Sequence, residues 1–255
     1  MVLQSNKDVL IEDAGTKYYF SYLDWDSNFF NRPSYSFNTD LSQFCKSRNI
    51  IEGRIRSQFR DCFVTAKIDT SLNYEVVKKL QTAGFYYIET EIKLKYQKSQ
   101  SCQKAKRSKQ NIEVYKLSKN RNLPYAEIGN TFQNTRFHTD LNIPKEKADD
   151  LWVRYIKNYI PDDNHFMYVA KVDNEVVGVI LANKDQNQIS LFYVAVKSKY
   201  QRMGIGTQLI HYVVSQFNGY EIVTGTQAKN IQAINYYIKN GFSKIISTKI
   251  ILHFW

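Results

Sequence analysis

YVAVKSKYQRMGIGTQLI, residues 193–210, decides how the rest of this sequence is read. Apolar residues run up to Val196, and a short polar loop then supplies Gln201 and Arg202. Gly204 and Gly206 open a stretch that places Leu209, Ile210, Val213, Val214 and Phe217 on one side of a helical period. The reading is a strand, a turn and an amphipathic helix. Without a Cβ the glycines let the backbone approach an anion closely and aim successive N–H groups at it. The free N–H groups and positive dipole end of the helix favour phosphate, and Arg202 adds charge-assisted hydrogen bonds. Two other phosphate loops fail on spacing. A P-loop needs a lysine at the helix start, and Gly206 is followed directly by Thr207. A dinucleotide fingerprint needs its glycines right after the strand and a third glycine three places on, but seven residues separate Val196 from Gly204 and the third place holds Leu209. A turn that only joins strand to helix is the plain alternative.

Upstream, FMYVAKVDNEVVGVILANKDQNQISLFYVAV (166–196) breaks at Asp173-Asn174-Glu175 and at Lys184 to Gln188 into three strands, a β-meander. It is preceded by a strand, IEVYKL (112–117), and a helix from about Lys145 to Tyr159. Downstream come the helix 206–217, the strand EIVTGTQ (221–227), the helix IQAINYYIKNGF (231–242) and a last strand within 245–255. The order predicts an α/β protein with a mixed sheet. QKSQSCQKAKRSKQ (97–110) has few apolar residues, no period, and Lys98, Lys104, Lys106, Arg107 and Lys109, so it reads as a basic exposed linker. The expected domains are therefore 1–96, a smaller α/β accessory unit, and 111–255. In the first, CFVTAKID (62–69) reads as a strand. A helix then opens at Ser71 or Asn73, presents Val76, Val77 and Leu80, and stops at Gly84 before a strand over 86–96. LQTAGFYYIETEIKLKY (80–96) and YIKNGFSKIISTKIILHFW (237–255) both run helix, Gly-Phe, long strand, which points to a duplication, the alternative being that any helix with a glycine cap before a strand looks like this.

With 255 residues, 43% apolar and 15% aromatic, the chain is not of the disordered class. It shows no signal-peptide pattern and no run of about 18 apolar residues, so the expectation is a cytoplasmic protein without a membrane partner. Cys45, Cys62 and Cys102 form no CxxC pair and the four histidines are scattered, which supports neither a disulfide framework nor a metal site. The net charge of +11 favours an anionic partner, whether nucleic acid, a membrane surface or a phosphate-bearing small molecule, with a merely solvated basic surface as the alternative.

Gln201-Arg202-Met203-Gly204-Ile205-Gly206, at the end of a strand and the start of a helix, resembles the acetyl-CoA motif of the GNAT acetyltransferases. Asn230, Ala233, Ile234, Tyr237, Gly241 and Phe242 stand in the register of that family's second motif. The resemblance covers most of 111–255. It implies a sheet splayed between its fourth and fifth strands with acetyl-CoA in the cleft. The backbone of Val194 and Val196 would hold the pantetheine arm, N–H groups from Gln201, Arg202, Met203, Gly204, Ile205, Gly206 and Thr207 the pyrophosphate, and Asn230 the cofactor side. Tyr237 would protonate the leaving thiolate, with Tyr236 beside it as the competing packing residue. LDWDSNFFNRPSY (23–35), AKID (66–69) and TRFHTD (135–140) resemble the nucleotide-sugar acetyltransferases typified by dTDP-fucosamine N-acetyltransferase. That implies a dTDP-linked amino-deoxysugar as acceptor, in polysaccharide biosynthesis, with a homodimer allowed and no nucleic-acid partner. Arg136, His138 and Asp140 are candidate acceptor contacts, a helix-entry loop with local caps being the alternative. Trp25 and Phe29 read as core, with stacking on a thymine base as the alternative. The rival functions are a GNAT acting on a protein or small polyamine, and a nucleic-acid-binding module working through the basic linker.

Overall fold

The computed structural model describes residues 7–13, 16–38, 51–71, 74–97, 111–119 and 123–255. Asn73 and residues 98–110 of the expected linker lie outside them. Contacts divide the chain into two units: the first holds the residues up to Glu91 together with Ser247–Trp255, and the second runs from Ile92 to Ile246.

In the first unit β1 (Val9–Asp13), β2 (Thr16–Tyr22) and β3 (Ser34–Phe37) form an antiparallel run, with α1 (Asp24–Phe30) between β2 and β3. α2 (Ile51–Gln58) precedes β4 (Phe63–Asp69), which lies parallel to β3. α3 (Tyr74–Thr82) then buries Val76, Val77 and Leu80, the predicted face, and ends at Gly84 in the left-handed region, φ +104°. β5 (Tyr86–Lys95) follows, and its last residues belong to the second unit. The other neighbour of β4 is the far end of the last strand, Lys249–Phe254, antiparallel to it. Tyr18, Phe20, Ile55, Phe59, Ile68, Leu80 and Leu252 make one core. Trp25 and Phe29 are half-buried and stack on each other, 5.3 Å apart and 2° from coplanar.

The second unit is built on the predicted meander. β6 (Ile112–Leu117), β7 (His165–Val172), β8 (Glu175–Asp185) and β9 (Gln188–Val196) are antiparallel neighbours. Between β6 and β7 lie α4 (Tyr125–Gly129), α5 (Arg136–Thr139) and α6 (Lys145–Asn158). After β9 come α7 (Ile205–Gln216), β10 (Glu221–Gln227), parallel to β9, α8 (Ile231–Lys239) and β11 (Lys244–Phe254). The alternation of the strands sorts the two faces of the sheet. Phe166, Tyr168, Ala170 and Ile180 pack with Leu209, Ile210 and Val213 of α7. Met167, Val169, Val179 and Leu181 pack with Ile128 and Ile156. Each unit thus repeats one plan: antiparallel strands, a helix crossing to a parallel strand, then a helix ending in a left-handed glycine, Gly84 or Gly241 (φ +92°), before a long strand. The mixed α/β class is as the sequence predicts.

Candidate active site

The site starts where the ladder between β9 and β10 stops. Pairing runs from Gln188 with Glu221 to Leu191 with Thr224, although β9 continues to Val196 and β10 to Gln227. At this point β9 carries a bulge. Leu181 of β8 faces Tyr193 and Ala182 faces Leu191, which leaves Phe192 as an extra residue. The bulge resets the alternation: Leu191 shares its face with Val194 and Val196, while Tyr193 and Ala195 face the α6 side. Such an insertion bends a strand and sharpens its twist. The strands part just beyond it. Val194 and Val196, both half-buried, therefore lie on a stretch whose β10 side is free of ladder partners among the described residues.

Thr224 marks the fork. Its hydroxyl, fully buried, donates to the Leu191 carbonyl at 2.8 Å and so satisfies the last acceptor of the ladder. The phenol of Tyr237, from α8, lies beside the same Thr224 hydroxyl. Burial raises the pKa of Tyr237 and the Thr224 contact lowers it less, so the phenol keeps its proton near neutrality. Tyr237 is a buried group at the base of the opening.

The glycine loop lies at the far end of β9. Lys197, 4% exposed, leads into it and is held by Glu175 at 2.8 Å and Glu127 at 2.9 Å, with its N–H on the Val177 carbonyl. Lys199 and Tyr200 also reach Glu175. Together these donors hold the Glu175 carboxyl down to about 2, the Lys197 hydrogen bond being the largest cause. Gln201 turns back to donate to the Val196 carbonyl at 3.0 Å. Arg202 (φ +63°) and Gly204 (φ +83°) both adopt left-handed backbone, Arg202 and Met203 are exposed, and open space surrounds Gly204 where a Cβ would project. Gly204 is the N-cap of α7 and makes no side-chain cap. The first-turn N–H groups of Ile205, Gly206 and Thr207 are thus not consumed by a cap side chain, as an anion cradle requires. A CoA pyrophosphate fits such a loop.

Gly206 has a different reason from the one its position suggests. A Cβ there would stand 2.6 Å from the Tyr236 hydroxyl, so the glycine makes room for α8. The Tyr236 hydroxyl is buried without a hydrogen-bond partner. Asn230 caps α8 by accepting from the Ala233 N–H at 3.1 Å.

Arg136, His138 and Asp140 fall on α5 and its end. Thr135 caps this turn, its N–H and hydroxyl both meeting His138 Nδ1, so that nitrogen accepts and Nε2 carries the proton toward Asp149 at 3.0 Å. Asp140, 1% exposed, accepts from the Asn142 N–H at 3.0 Å. Arg136 lies over the Phe137 ring, 4.6 Å from its centre. These contacts organise the loop. It is brought to the β10–α8 connection by Lys229, which donates to the Thr139 hydroxyl at 2.6 Å. Thr224, the Phe192 bulge, Lys197 and Lys229 carry no signal in the sequence beyond their places in otherwise ordinary elements.

Residues 133–242 match the model of the Acetyltransferase (GNAT) family. The match lies inside the second unit and takes in the fork, the glycine loop and α8. N-alpha-acetyltransferase of Sulfurisphaera tokodaii is 28% identical over 131 residues, 45% of this chain and 74% of that protein. Spore coat polysaccharide biosynthesis protein SpsD of Bacillus subtilis is 23% identical over 116 residues, 44% of this chain and 40% of that protein, so less than half of SpsD is spanned. A conserved protein of unknown function from Staphylococcus epidermidis has a similar fold, TM-score 0.64 over 96% of this chain and 93% of that one, at 14% identity. No helix among the described residues is long and apolar enough to cross a membrane.

Proposed function

We propose that the chain transfers acetyl from acetyl-CoA to the amino group of a nucleotide-linked amino-deoxysugar, by direct attack and without an acyl-enzyme. The observation that carries the transferase chemistry is the fork at Leu191 and Thr224 with a protonated phenol at its base. Acetyl-CoA supplies an activated thioester. The edge of Phe192 to Val196 that faces β10 holds the pantetheine arm and polarises the acyl oxygen through an N–H. The loop from Gln201 to Thr207 holds the pyrophosphate, and Asn230 flanks the cofactor. The amine attacks the acyl carbon once it has lost its proton to water, because both ring nitrogens of His138 are engaged in the loop. Tyr237 donates its proton to the departing thiolate. Arg136 and the α5 loop lie on the acceptor side.

The sugar acceptor is supported by the LDWDSNFFNRPSY segment, by the net charge of +11 and by the distant likeness to SpsD. The likeness to an N-alpha-acetyltransferase favours a second reading, a peptide α-amine as acceptor. Thiol release from acetyl-CoA with dTDP- and UDP-linked amino sugars beside peptides with free N-termini separates the two. Turnover of peptides alone would replace the sugar reading. For the donor site Arg202→Ala is the cleaner probe, since the side chain is exposed and its loss leaves the fold intact. It should weaken acetyl-CoA binding by roughly tenfold in calorimetry, the scale of one charge-assisted contact.

A further inference from the structure

Tyr236, the neighbour of Tyr237 on α8, carries a hydroxyl that is buried and has no hydrogen-bond partner among the described residues. The rest of the residue is fully used. Its main-chain carbonyl accepts from the Asn240 side-chain amide at 2.7 Å, and its ring packs against the core that includes Ile205 and Leu209 of α7. A phenylalanine would pack the same way without the cost of burying an unpaired polar group.

The place of the hydroxyl gives it a use. It stands along the Cβ direction of Gly206, 2.6 Å from where that Cβ would be, and the ring carbon that bears it is at 3.3 Å. In a helix every Cα–Cβ bond tilts toward the N-terminus. Gly206 is the second residue of α7, a helix of 12 residues, so the tilt leads to the open end of that helix. There Gly204 makes no side-chain cap, and the first-turn N–H groups of Ile205, Gly206 and Thr207 have no acceptor within the helix. The hydroxyl comes from a different helix and points to the same end. Burial pushes the Tyr236 phenol up in pKa, with the nearby Tyr237 adding to the rise, so the group keeps its proton near neutrality.

We infer that the Tyr236 hydroxyl donates a hydrogen bond to a pyrophosphate oxygen of acetyl-CoA seated on the first turn of α7. The inference rests on the acetyl-CoA reading above and adds to the glycine loop a side-chain donor from α8. A hydrogen bond to a charged oxygen, away from water, is of the strong kind. It would also tie the anchor of the cofactor to the helix that carries Tyr237.

The test compares the full chain with its Tyr236→Phe variant, which keeps the ring and its packing. Calorimetry with CoA should give a Kd roughly tenfold higher for Tyr236→Phe, the scale of one hydrogen bond to a charged group. Phosphorus NMR of the bound CoA should show the pyrophosphate resonances displaced between the two proteins and the 3′-phosphate resonance unmoved. Steady-state kinetics should put the loss in the KM of acetyl-CoA and leave kcat near the wild-type value. Without CoA the variant should unfold at the same denaturant concentration as wild type or a higher one. Equal Kd values overturn the inference, as does a weaker Kd with unmoved pyrophosphate resonances. A variant less stable without CoA overturns it too, because the hydroxyl would then be satisfied within the free protein. Each of these results leaves the acetyl-CoA reading standing, whereas a wild-type chain that does not bind CoA removes both.

Discussion

Replacing Gly206 by alanine tests how the cofactor loop is seated on α8. The new Cβ would stand 2.6 Å from the Tyr236 hydroxyl oxygen and 3.3 Å from the ring carbon that bears it. Real Cβ atoms do not approach an oxygen so closely, so ring or helix must shift, at about 1–3 kcal/mol for overpacking of this kind. Against that, alanine is favoured over glycine within a helix by about 1 kcal/mol, and Gly206 is the second residue of α7. The single variant should therefore lose up to about 2 kcal/mol net, or several degrees in Tm at about 2–4 °C per kcal/mol for a protein of this size. Tyr236→Phe removes the obstructing oxygen, which is buried without a partner. Alone it should be neutral or slightly stabilising, because the hydroxyl gains nothing from its present site. In the double variant the nearest atom lies at 3.3 Å, the clash is nearly gone, and the alanine's helical preference remains. Denaturant unfolding of the four proteins gives the coupling directly. It should be about 1–3 kcal/mol with the double variant at least as stable as Gly206→Ala. Additive effects of the two substitutions would refute the contact and with it the packing explanation of this glycine.

Tyr237→Phe should lower kcat by about 10²–10⁴-fold with acetyl-CoA affinity little changed, as expected for loss of a general acid. Tyr236→Phe should be far milder, and the reverse order in steady-state kinetics would move the acid to the neighbouring residue. Thr224→Val should cost about 1–3 kcal/mol in denaturant unfolding, because the buried Leu191 carbonyl loses its donor. An unchanged midpoint would mean that water takes the place of that hydroxyl. Glu175→Gln should flatten the acid limb of the stability curve. The folded carboxyl is depressed from 4.5 to about 2, so its contribution is present above 4.5 and lost as pH falls toward 2. Acid titrations of the two proteins that superimpose over this window would contradict the Lys197 network.

Much of the second unit was legible because its signals are local. Polar turns at Asp173-Asn174 and around Gln186 cut an apolar run into strands, and the structure gives all three residues positive φ. Gly204 and Leu209 set the loop and the buried face of α7 in the same way. The fork was legible only through family resemblance. LFYVAV (191–196) is apolar on both parities, so nothing in it marks Phe192 as the bulged residue. Thr224 looks like any threonine in a strand, and its role depends on which carbonyl the neighbouring strand leaves unpaired. The Arg136, His138 and Asp140 cluster was visible as a polar group, but its chemistry is decided by Thr135 and Asp149, residues whose approach a linear pattern does not display. Lys229 could be picked out only after its partner on α5 was known.

The pairing of β4 with Lys249–Phe254 has a consequence for biosynthesis. The residues up to Glu91 leave the ribosome without the strand that completes their sheet, and it is synthesised only after the whole second unit. Until then β4 offers an open ladder edge, the kind of surface that recruits strands from other nascent chains. Folding of the first unit must wait for a contact of very large sequence separation, which is slow to form. Removing residues 247–255 should accordingly be felt first in the residues made earliest.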